Sequence, residues 1–132
     1  MFIGIDVRHE FADDWHRFVN TTADNTELKL SISKDMLPFF AANKNVEASE
    51  LSISATKKDA ADRNGIPFNS GQTLAGDKTQ PKNINLFTAT IPDLNTDITE
   101  TNNLNYSIQM VKMDAIALES MFVMVKYRLT HL

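Results

Sequence analysis

His9, Asp13 and His16 are the residues whose types and spacing come nearest to a chemical site. At i, i+4 and i+7 of one helix they share a side, and imidazole and carboxylate are ligands that zinc takes. A tetrahedral zinc would want a fourth ligand, and the helix is short. Three polar residues on the solvent face of an amphipathic helix are the commoner arrangement. Trp15, the only tryptophan, is flanked by Phe11 and Phe18. Together with His16 and Phe18 it forms the candidate ligand-binding group, because an exposed indole stacks on sugar rings. Its helical register with Phe11 and Val19 favours a structural role instead, as the clamp of that helix on the core.

Asp93, Asp97 and Glu100 offer oxygen ligands for calcium, but they lack the dense alternate spacing of a loop site. Asp114 and Glu119 could be paired acids, which hydrolases hold roughly 5–9.5 Å apart across a cleft. Nothing in the sequence places them in one. There is no Gly-rich phosphate loop, no G-x-S-x-G, and no Ser-His-Asp order with supporting context. The expectation is a chain with no catalytic residues and no required cofactor, calcium being the ion considered beside zinc.

The elements that must position these groups are mostly strands. Met121, Val123, Val125, Tyr127 and Leu129 alternate along the longest apolar run, a strand signal of period two. The opposite face starts apolar, with Phe122 and Met124, and turns basic at Lys126 and Arg128. That pattern predicts a central strand, covered on both faces in its first half and open to solvent on one face in its second. Further strands are expected over Phe2 to Val7, Leu28 to Ile32, residues 46–56, Ile84 to Ile91 and Leu104 to Met110. Phe11, Trp15, Phe18 and Val19 mark a helix of one to two turns. Met36 to Phe40 is limited to a turn by Pro38, with Ser33 or Asp35 as its cap. Residues 57–83 hold three of the four glycines and two of the four prolines, and read as one long irregular loop pinned by Ile66, Phe68 and Leu74. Residues 94–103 read as a polar connection, and Met113 to Glu119 as a tight corner. The whole predicts an all-β antiparallel two-sheet β-sandwich, jelly-roll-like, with one or two short helical turns.

The 132 residues make one domain, 1–132, large enough to bury a core without staples. Without cysteine there is no disulfide or thiolate chemistry. A net charge of −4 with no basic block argues against nucleic acid, which demands a basic stripe. The opening Met1 to Asp6 has neither the basic start nor the apolar stretch of a signal peptide. No run reaches the ~18 apolar residues of a membrane span, so a soluble chain is expected. A strand-rich domain also brings an edge through which copies could pair as a homo-oligomer.

Several landmarks follow one another in a familiar order. They are Arg8-His9-Glu10-Phe11-Ala12-Asp13-Asp14-Trp15-His16-Arg17-Phe18, then Leu28-Lys29-Leu30-Ser31-Ile32, and then Asp35-Met36-Leu37-Pro38-Phe39-Phe40. A strand containing Glu50-Leu51 follows, and Phe122-Val123-Met124-Val125-Lys126-Tyr127 closes the series. This series resembles the C-terminal β-rich domain of proteins related to the A component of Tc toxins. There, an R-H-x-F-P-D-x-W segment, an F-P-F segment and a closing hydrophobic strand ending in R-Y or K-Y come in that sequence. Ala12 stands where the family tends to have proline, and Leu37 where an aromatic is more usual. The resemblance implies a bacterial, non-catalytic domain of a large toxin assembly, exported with it, whose partner is another protein of the assembly or a surface receptor. A carbohydrate-binding module of jelly-roll type, with a glycan as ligand, is the alternative.

Overall fold

The computed structural model describes residues 1–37, 44–58, 64–76 and 86–131. Among these, β9 (Leu118–His131) organises the rest. Its Met121, Val123, Val125 and Tyr127 are buried on one face, and β1 (Phe2–Asp6) pairs along one edge and β3 (Lys44–Lys57) along the other, both antiparallel. The register builds apolar rows across the sheet. Ile3, Val125, Leu51 and Ile91 form one row, and Ile5, Val123, Ile53 and Ala89 the next, with β6 (Leu86–Ile91) supplying the fourth member of each. Directly opposed β-branched pairs of this kind are the unit of sheet stabilisation.

One extra residue in β3 keeps that face apolar. Val46 and Ala48 point inward at even positions, whereas Leu51, Ile53 and Ala55 do so at odd ones. A strand of strict period two cannot bury both sets. A bulge at Ser49, between the pairs Ala48–Tyr127 and Glu50–Lys126, absorbs the slip. The Ser49 hydroxyl donates to the Lys126 carbonyl at 3.2 Å, and its own carbonyl accepts from the Leu94 amide at 3.0 Å. At the bulge β3 also changes partner, from β6 to the short β7 (Thr96–Ile98). The chain between those two strands turns through Asp93 and Asn95, both at positive φ, a conformation Asp and Asn tolerate better than most residues.

The seven-stranded sheet is completed by β4 (Ile66–Phe68) and β5 (Gln72–Gly76), a hairpin with positive φ at Asn69 and Gly71. The span 57–83, read as an irregular loop, therefore contains paired structure. Each strand is too short for its alternation to stand out, and the turn residues mask it. Ile66, Phe68 and Leu74 do anchor it, at 1%, 1% and 0% exposure. Residues 59–63 and 77–85 lie outside the described residues, as do Pro38 to Phe40 of the expected apolar turn. Ser33 is the N-cap of the 3-10 turn Lys34–Met36, without a side-chain hydrogen bond.

The second sheet is small. β2 (Asn25–Ile32) and β8 (Leu104–Val111) pair antiparallel and turn Leu28, Leu30, Ile32, Leu104, Ile108 and Met110 onto the larger sheet. Helices α1 (Val7–Glu10), α2 (Ala12–Val19) and α3 (Lys112–Ile116) extend this layer. Asp6 starts α1, its carboxylate accepting from the Arg8 amide. The two-sheet antiparallel sandwich with short helices is thus what the chain forms, and its strands divide seven to two among the described residues.

Candidate functional site

The outer face of the large sheet departs from its own pattern. On β3 and β6 that face carries Ser52, Ser54, Thr88 and Thr90, the polar half of a half-buried sheet. On β1 and β9 it carries Phe2, Phe122 and Met124, exposed by 59%, 51% and 48%. The expectation that the first half of β9 is covered on both faces is corrected here. Among the described residues nothing overlies Phe122 or Met124, because the β2–β8 sheet and the helices all lie on the other side.

Register shows why these side chains stand clear. Met124 lies between Gly4 and Ser52, and Phe122 between Asp6 and Ser54. Gly4 has no side chain, and a Cβ built there meets nothing within 4 Å. Serines on the next strand are too short to shelter a thioether or a phenyl ring. Phe2 lies opposite Lys126, whose ammonium sits 6.0 Å from the ring centroid. Strands in a ladder are ~4.8 Å apart, so the three side chains form one patch, bordered by Asp6, Lys126 and Glu50. Contiguous exposed apolar surface of this sort marks interaction sites, and aromatics and Met are enriched in them.

Elsewhere, three recesses stand out among the described residues. A groove of about 610 Å³ runs between β2, the β4–β5 turn and the end of β8, with Glu27, Asn69 and Val111 in its walls. A recess of about 330 Å³ lies where Asp97 faces Glu47 across β7 and β3, Glu47 being held by Arg128 at 2.8 Å. A third, of about 220 Å³, is walled by α1, α2 and the start of β9.

The residues singled out from sequence lie as follows. Trp15 and Phe18 are buried on α2, at 6% and 0% exposure, with ring centroids 6.1 Å apart. The indole is therefore packed against the core, with little of its surface left for stacking a sugar. His9 lies on α1, and Asp13 and His16 on α2. The helix is interrupted at Phe11 (φ −127°, ψ 50°), so the i, i+4, i+7 geometry of one continuous helix does not hold. The His9 Nε2 lies 3.5 Å from Asp6 Oδ2, and His16 is engaged by Asn20. Asp93 belongs to the β6–β7 turn, Asp97 to β7, Glu100 to the bend after β7, Asp114 to α3 and Glu119 to β9. Among the described residues, no three His, Asp or Glu side chains are grouped to hold a metal ion. What sequence reasoning missed are Phe2 and Gly4, whose importance depends on which strand lies beside β9. Compared with protein-family models, curated proteins and solved structures, the chain matches none.

Proposed function

We propose that this chain is a non-catalytic interaction domain of a Tc-toxin-related protein, docking onto another protein of the assembly through the outer face of its large sheet. The toxin kinship is supported by the ordered landmarks from Arg8 to Tyr127 in the sequence. The docking role is supported by one observation, the adjacent exposed side chains of Phe2, Phe122 and Met124 on two hydrogen-bonded strands. A carbohydrate-binding module would need an accessible aromatic platform, and the buried Trp15 gives that reading no support.

The test pairs the purified chain with the proteins encoded beside its gene, by calorimetry. One of them should bind, and Phe122→Ser combined with Met124→Ser should weaken it by roughly 30-fold or more, the effect of losing interface hot spots worth about 2 kcal/mol. Equal affinity for the wild type and the double variant would refute the assignment of this face. No binding by any of those proteins would refute the docking role itself.

A further inference from the structure

We infer that the recess between α1, α2 and the start of β9 is a binding site for a small oxyanion, a phosphate, sulfate or carboxylate group. Its wall brings together Arg8 from α1, His16 and Asn20 from α2 and its C-cap, and Lys58 from just beyond β3, over Trp15, Val19 and Leu118. In a chain of net charge −4, two fixed cations meeting in one concavity are unexpected without something to neutralise. Neither has an acidic partner among the described residues. The Arg8 guanidinium reaches only the carbonyl of Glu119, at 3.4 Å, and the ion pairs of the described residues involve other cations.

Of the neutral groups, His16 is the one left with a donor, and Asn20 orients it. The Asn20 amide nitrogen lies 3.3 Å from His16 Nδ1 and donates to the His16 carbonyl at 2.9 Å. An amide N–H directed at Nδ1 leaves the imidazole proton on Nε2, so the ring keeps one N–H to give. Arg, Lys and a His N–H are the side chains that bind oxyanions elsewhere. Glu119 is the one carboxylate among the described residues of the lining. Against Arg8 and Lys58 it leaves a formal surplus of one positive charge from these three side chains. About 220 Å³ is room for such a group together with several waters, each of about 30 Å³.

Trp15 makes the site directly readable, since it is the sole tryptophan and lines the recess. Inorganic phosphate, sulfate and acetate are titrated into the full chain at ionic strength held constant with chloride, following indole fluorescence. At least one should give a saturable change. Arg8→Ala and Lys58→Ala should each weaken it about fivefold, the size of one charge–charge contact at 4 Å in water, and Glu119→Gln should tighten it by a similar factor. All three side chains are exposed, so these variants keep the fold. Tighter binding of acetate would assign the site to a carboxylate; tighter binding of phosphate or sulfate would assign it to a tetrahedral oxyanion. A response that does not saturate, or that Arg8→Ala and Lys58→Ala leave unchanged, would overturn the inference. Phe2, Phe122 and Met124 take no part in this recess, so its failure leaves the docking face untouched.

Discussion

Asn69 is the test of how the two sheets are joined away from their common core. Its backbone N–H donates to the Gln109 carbonyl at 2.8 Å, and its Oδ1 accepts from the Gln109 amide at 2.8 Å. The residue thus pairs with Gln109 as a neighbouring strand would. Its amide nitrogen reaches Gln72 Oε1 at 3.1 Å, Tyr106 Oη at 3.2 Å and the Ser107 carbonyl at 3.1 Å. With two N–H groups for three acceptors, about three side-chain bonds exist at once. The residue is half-buried, so each is credited at the low end of the usual range, ~0.5 kcal/mol, for a sum of about 1.5 kcal/mol. Its φ of 47° costs an alanine a further ~1 kcal/mol. Asn69→Ala should therefore lose about 2.5 kcal/mol, the sum of those two contributions, in urea unfolding followed by Trp15 fluorescence. Asn69→Gly meets no steric cost at positive φ and should lose about 1 kcal/mol less than the alanine variant, by the same strain argument. If both variants unfold within about 0.5 kcal/mol of the wild type, the ordinary scatter of surface substitutions, the hairpin is not held through this residue. If glycine and alanine are equally destabilising, the strain part of the reasoning fails.

Trp15→Ala removes a 6%-exposed indole from the contact between α2 and the core and should cost roughly 3–5 kcal/mol; a melting temperature equal to the wild type's would contradict the clamp assignment. Val125→Asp places a carboxylate at a fully buried position between Ile3 and Leu51, where no partner compensates its desolvation. Soluble, folded Val125→Asp protein in an expression trial would contradict the central placement of β9.

Much of this fold is legible because its core strands alternate cleanly. Leu28, Leu30 and Ile32, or Met121 to Tyr127, leave little choice of face once burial on one side is assumed. Ser49 shows where that reading stops. The odd-numbered inward set of β3 is visible in the sequence, but its union with Val46 and Ala48 depends on a bulge that a neighbouring strand must accept. β4, β5 and β7 are three to five residues long, and at that length pairing partners decide the conformation, not period or propensity. The His9, Asp13 and His16 pattern fails for a local reason: the backbone at Phe11 leaves the helical region, and residues on either side lose a common axis. Lys58 and Arg8 are far apart along the chain, so only the folded protein shows that they share a recess with His16.

The same dependence on partners bears on the outer face. An exposed apolar side chain alone means little, since over half of any protein surface is apolar. Phe122 and Met124 could be read from sequence as buried, because a run from Met121 to Val125 is continuous, as in a strand covered on both sides. Among the described residues only one side is covered. Where the same sheet needs nothing but solvent, at β3 and β6, it places serine and threonine. Where β1 and β9 run, it keeps two phenylalanines and a methionine and sets Gly4 between them, leaving room for a neighbour to approach the backbone. Polar residues on these outward positions would satisfy the fold equally well, because nothing among the described residues packs over that side of the sheet. Under the proposed docking role the apolar choice is explained by a partner: a protein surface that buries these three side chains would complete the second covered face that the sequence of β9 implies.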